Sequence, residues 1–135
     1  MPSNVTGSDA DRSTGDILGW FSDLRSREAE RRAKEADVFY GESPGVVARL
    51  VEGGVRLKCL LVAQRRRHLL DEIDTGRADV MVLSDPELHD LVGFDMHRGM
   101  VGLFDRPRPV GLDEIARSRI VCVVEGVGDD ANIGA

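Results

Sequence analysis

Two groups of residues in this chain could do chemistry: clustered arginines, and a terminal loop of glycines, acids and an asparagine. Arg65, Arg66 and Arg67 stand together just ahead of His68, and Arg98, Arg106 and Arg108 form a second basic set. A guanidinium is planar, permanently charged and able to donate two parallel hydrogen bonds, so such sets suit the binding of several phosphates. A merely solubilising surface has the same composition. The stretch "EGVGDDANIG", Glu125 to Gly134, follows an apolar run, the place where α/β folds carry ligand loops. Its glycines, Gly126, Gly128 and Gly134, do not follow G-x-G-x-x-G, and no GK[ST] follows. Glu125, Asp129 and Asp130 could hold a divalent cation, but acids in a polar tail are ordinarily just solvated. No C-x-x-C or H-x-x-x-H spacing occurs, so no metal site is expected. His97 in "GFDMHRGM" is a lone loop histidine. Neither it, His68 nor His89 pairs with a Ser or Cys nucleophile and a carboxylate in a recognisable order. Glu42 beside a helix start is accounted for by dipole and capping effects.

The elements that must position these groups read as follows. "MPSNVTGSDADRSTG" is small and polar, and residues 1–15 are expected to be a disordered tail. "DILGWFSDLRSREAERRAKEA" has helical composition, with Glu28 spaced to meet Arg31 or Arg32 on one solvated or phosphate-facing side. An alternation of strands and short helices then begins. "DVFYGE", "VRLKCLLVA", "ADVMVLS", "GMVGLFD" and "RIVCVVEG" are expected strands. Ser43-Pro44 and Asp85-Pro86 open helices, Gly53-Gly54 and Gly93 close them, and "QRRRHLLDEID" and "LDEIA" are further short helices. The alternation predicts an α/β fold, with a mostly parallel sheet between helices in a three-layer α/β/α arrangement. "RPRPVG" is extended, because each residue before a proline avoids the α region. The expected organisation is a tail (1–15), a substrate-binding domain (16–108), and a linker with the start of a second domain (109–135).

Composition bounds the function. The 135 residues suffice for one modest domain or one domain plus a fragment, and 41% apolar content is ordinary. A net charge of −6 gives no global attraction for nucleic acid, so any such contact must come from a local basic face. One Trp and one Tyr argue against an aromatic platform for single strands. Cys59 and Cys122 sit in the apolar runs "LKCLLV" and "IVCVV" and read as buried thiols in a reducing compartment. No signal-peptide pattern and no run near the roughly 18 apolar residues of a bilayer span are present, so a soluble, cytoplasmic protein is expected.

Three stretches in order carry a resemblance. "VFYGESPGVVARLVEGGVRLKCLLV", "LVGFDMHRGMVGLF" and "RIVCVVEGVGDDANIGA" together resemble the N-terminal portion of SpoU/TrmH-type (SPOUT) RNA 2′-O-ribose methyltransferases. Glu42, His97, Gly99, Asn132 and Gly134 match, while Ser43 stands where Gly is usual and Arg98 replaces the common Gln. The resemblance implies a substrate-binding domain followed by the first strand of a catalytic domain, with Asn132 as part of the catalytic motif. It implies S-adenosylmethionine as the family cofactor, with none expected on this chain, because the catalytic Arg and the knotted cofactor segment would lie past Ala135. It implies tRNA or rRNA as partner, gripped at Arg65, Arg66, Arg67, Arg98, Arg106 and Arg108, and a family homodimer formed through the catalytic domain. Such a chain would be inactive alone, and residues 116–135 would be loosely docked. The alternatives are a non-catalytic α/β interaction or regulatory domain, and an α/β enzyme binding a small molecule at the terminal loop.

Overall fold

The computed structural model describes residues 17–128. The expected tail and the terminal-loop residues Asp129, Asp130, Asn132 and Gly134 lie outside the described residues. The chain forms α1 (residues 17–21), α2 (Arg27–Glu35), β1 (Val38–Glu42), α3 (Pro44–Glu52), β2 (Leu57–Ala63), a 3₁₀-helix (Gln64–Glu72), β3 (Asp79–Leu83), α4 (Asp85–Val92), β4 (Met100–Asp105) and α5 (Leu112–Ala116).

Local chemistry explains most of these boundaries. Ser26 caps α2 by accepting from the Ala29 amide at 3.1 Å, with Glu28 and Glu30 in the first turn and Arg32 and Lys34 in the last, which suits the helix dipole. The helical stretch expected from residue 16 onward is broken at residues 22–25. There the amides of Asp23 and Leu24 donate to the carbonyls of Leu91 and Val92, and Asp23 takes φ 46°. Ser84 and Glu87 tie the first turn of α4 together, and the two hydrogen bonds from Ser84 hold the Glu87 carboxyl below its usual range. Gly93 ends that helix at φ 81°.

The sheet order is β1-β4-β2-β3. Here the expectation of a mostly parallel sheet is corrected: β2 and β3 are parallel, but β4 is antiparallel to both β1 and β2. The cause is a short return. An eight-residue α4 spans only about 12 Å. Residues 93–99 then bring the chain back to the end it left, so β4 enters the middle of the sheet against the direction of its neighbours. The strands β1, β2 and β3 therefore finish at one end, where β4 begins.

Alternation along the strands builds two cores. Val38, Cys59, Leu61, Ala63, Val101 and Leu103 face α1, α2 and α4, which contribute Phe21, Ala33, Leu88 and Val92. Leu60, Val62, Met100 and Phe104 face Val47 of α3 and Ile73 after the 3₁₀-helix. This gives the expected three layers. Gly41 and Gly102 pair across β1 and β4, and a Cβ on either would fall 2.7 Å from a side-chain carbon, of Leu50 and of Phe104 respectively.

The expected fifth strand does not form. Residues 119–125 have no strand assignment, and Ile120 and Val123 are 87% and 84% exposed. The apolar run has no neighbouring strand to complete its backbone hydrogen bonds. Cys122 is accordingly exposed, against the expectation of a buried thiol, whereas Cys59 is buried in the sheet.

Candidate nucleic-acid interface

The common end of β1, β2 and β3 gathers residues from four places in the chain. After β2 come Arg65, Arg66 and Arg67 in the 3₁₀-helix; before β4 come His97, Arg98 and Gly99; after β1 comes Ser43; after β3 comes Asp85. The backbone joins them: the Ser43 amide donates to the Met100 carbonyl at 2.9 Å, and the Ala63 amide to the Gly99 carbonyl at 2.8 Å. Gly99 lies at φ 68°, and a Cβ there would meet Arg65 Nη1 at 2.8 Å and Arg66 Cγ at 3.0 Å. The backbone of residue 99 is thus pressed flat against two arginine side chains, a place only glycine fills without displacement.

Ser43 carries the largest departure from ordinary backbone geometry, φ 101° and ψ 150°, a region essentially reserved for glycine. Its side chain still caps α3, accepting from the Val46 amide at 3.3 Å, with Pro44 in the first helical turn. The residue is buried and also anchors the start of β4 through its amide.

The six arginines named from the sequence fall into two groups. Arg106 and Arg108 follow the far end of β4, a strand of five steps or roughly 17 Å whose near end carries Arg98. Arg106 pairs with Asp37 at 3.4 Å, and Arg108 with Glu114 at 3.2 Å. At the near end Arg65 is engaged as well: its Nε donates to Asp85 Oδ1 at 2.9 Å and its Nη2 to the Met96 carbonyl at 2.9 Å. Arg66, Arg67 and Arg98 have no carboxylate partner among the described residues, and the buried Nε of Arg66 finds no acceptor there. In α2 Arg31 pairs with Glu28 and Glu35, and Arg32 lies over Trp20 and donates to the Trp20 carbonyl.

Asp85 reads in the sequence only as a helix start, yet it is level with Arg65 and pairs with it. The parallel register pairs Ala63 with Leu83, so residues two beyond each strand end meet. The constant offset of twenty between β2 and β3 was the available signal. His89 and Asp95 form a second tie, Nδ1 to Oδ1 at 2.8 Å, across the loop that carries Arg98. Neither residue had a sequence signature.

No family model and no curated protein matches the sequence. Among solved structures the chain is similar to a Porphyromonas gingivalis protein assigned to the TrmH family of RNA methyltransferases, with TM-score 0.50 and 20% identity, over 70% of this chain and 37% of that one. The two share a fold. A further similar structure is the SpoU methyltransferase AviRb from Streptomyces viridochromogenes, determined with AdoMet, at TM-score 0.49 and 20% identity, over 78% of this chain and 36% of that one. The chain spans little more than a third of the length of either protein. A small cavity at the sheet end where the arginines collect, about 220 Å³, is lined by Arg65, Asp85, His89, Asp95 and His97 among others. It is smaller than the roughly 300 Å³ at which small-molecule sites begin, and Leu88 and Met96 complete its lining. No helix among the described residues is long and apolar enough to cross a membrane.

Proposed function

We propose that this chain is the RNA-binding portion of an S-adenosylmethionine-dependent 2′-O-ribose methyltransferase acting on tRNA or rRNA, and that it transfers no methyl group unaided. The substrate-binding domain extends to residue 108, and residues 109–135 lead into the catalytic part. One observation carries the reading: Arg66, Arg67 and Arg98 stand, without carboxylate partners among the described residues, at the end where three strands finish, within a fold shared with a TrmH-type protein. Uncompensated guanidiniums of this kind bind phosphate oxygens, and RNA is recognised in large part through backbone and shape. Arg106 and Arg108, already neutralised and at the opposite end, contribute less. The methyl donor would supply the electrophile, and the protein's part is placement, to which residues of the family motif such as Asn132, outside the described residues, would contribute.

The test is binding of the full chain to a fluorescently labelled RNA hairpin across a salt series. Three phosphate contacts give a slope of log K against log salt of roughly −2 to −3. Reversing Arg66, Arg67 and Arg98 together to Glu abolishes binding, while reversing Arg106 and Arg108 costs much less. Unchanged affinity in the first variant, or methyl transfer by the purified chain alone, overturns the reading.

A further inference from the structure

We infer that Arg65, although it belongs to the arginine triplet, is a positioning residue and not a phosphate ligand. It clamps the loop of residues 93–99 so that Arg98 stands with Arg66 and Arg67. This rests on the RNA-binding reading above.

Three observations support it. First, Arg65 already spends two donors inside the protein, Nε on Asp85 Oδ1 and Nη2 on the Met96 carbonyl, each at 2.9 Å. Its charge is compensated by Asp85, whereas its two neighbours in the triplet have no carboxylate among the described residues. Second, the group it grips lies two residues before Arg98, in the return loop itself. The Gly99 amide closes on the Met96 carbonyl at 3.1 Å, so that carbonyl accepts from Arg65 and Gly99 together. The His89–Asp95 contact holds the same loop from the side of α4. Third, the fit is close: a Cβ at Gly99 would stand 2.8 Å from Arg65 Nη1, so the guanidinium lies directly against the loop backbone. To turn Nε and Nη2 toward a phosphate, the charge-paired guanidinium would have to break both hydrogen bonds, and the loop bearing Arg98 would lose that anchor in doing so.

The experiment compares Arg65→Gln with Arg67→Gln and Arg98→Gln in the full chain, using the same labelled RNA hairpin over a salt series. Loss of a phosphate ligand reduces the salt slope by about one. Arg67→Gln and Arg98→Gln are expected to do so. Arg65→Gln is expected to weaken binding several-fold with the slope held close to that of the unaltered chain minus at most the share lost with Arg98. In the double variant with Arg98→Gln the two losses do not add, because the clamp has nothing left to place. A slope loss in Arg65→Gln that adds fully to that of Arg98→Gln overturns the inference. Asp85→Asn is the second variant: a positioning Arg65 predicts weaker binding, whereas a phosphate-seeking Arg65 released from its carboxylate predicts tighter binding and a steeper slope. A readout without RNA separates this inference from the reading it rests on. Amide exchange at Gly99 and at Ala63, whose partner is the Gly99 carbonyl, should speed up by about tenfold or more in Arg65→Gln. Unchanged exchange overturns the clamp whether or not RNA binds; faster exchange with no RNA affinity in any form of the chain retains the clamp and removes the RNA-binding reading.

Discussion

At the scale of the residue, Ser43 shows how a sequence departure becomes a physical one. The resemblance to SpoU/TrmH-type proteins puts glycine here, and the backbone explains why: φ 101° with ψ 150° is open to glycine and strained for serine by about 1–3 kcal/mol. Ser43→Gly relieves that strain, loses a cap worth a few tenths when glycine replaces it, and adds about 0.5–1 kcal/mol of chain entropy to the unfolded state. The net expectation is a gain of about 1 kcal/mol, read as a higher urea midpoint at unchanged m; a lower midpoint would show that the serine conformation is unstrained. Cys59 gives a second residue-level expectation. Burial in the sheet, with the Asp79 carboxylate nearby, pushes its thiol up to about 12 from an ordinary 9.0. The folded state thus prefers the protonated form. The associated stability is fully present below about pH 9 and is lost as pH rises toward 12. In the native chain at pH 8 a thiol reagent should modify the exposed Cys122 and spare Cys59; equal rates would contradict the burial.

At the scale of the element, the run Ile120–Val124 contrasts with the apolar run of β2. Leu60, Leu61 and Val62 are wholly buried between helices, and Leu60→Ala should cost about 2–5 kcal/mol. Ile120→Asp or Val123→Asp should change stability by no more than about 0.5 kcal/mol while reducing self-association, since neither side chain is covered. Amide exchange should be fast throughout residues 119–125 and slow in β2; strong protection in the former would mean that a neighbouring strand is present after all. The two runs are equally apolar in sequence, which is why both read as strands. Apolarity and β-branching report that a segment suits a sheet, but whether a partner strand lies beside it is a non-local fact. The same limit produced the error in the sense of the sheet. Helix starts at Ser43-Pro44 and Asp85-Pro86, the second with its cap one residue earlier at Ser84, and the stop at Gly93, are local and were legible. The antiparallel insertion of β4 depends on how far α4 and its return loop carry the chain, which no short motif states. At the candidate site the arginines were legible as residue types, but their division into free and engaged groups was not. That division is set by Asp85, Asp37 and Glu114, which reach them through the fold.

At the scale of the whole molecule, a chain of net charge −6 is proposed to bind a polyanion through one local group of arginines. The two fields have different ranges. At 0.15 M salt, screening over about 8 Å lets the phosphates sense chiefly the adjacent guanidiniums, whereas at 0.01 M the length of about 30 Å brings the acidic remainder into play. The salt dependence should therefore flatten as salt falls into that range; a line of constant slope down to about 0.01 M would show that the acidic surface is too distant to matter. Long reach matters mechanically as well. Where Gly41 and Gly102 face each other, the ring of Phe104 and the tip of Leu50 settle directly onto bare backbone, and that contact fixes how low α3 rides over the sheet. A single methyl group added at Gly41 would stand 2.7 Å from the tip of Leu50 and act as a shim beneath the helix, and the first turn of α3, which begins at Pro44 beside the arginines, would lift with it. The height of the helix at the arginine-bearing end is thus gauged at mid-sheet, by one hydrogen atom.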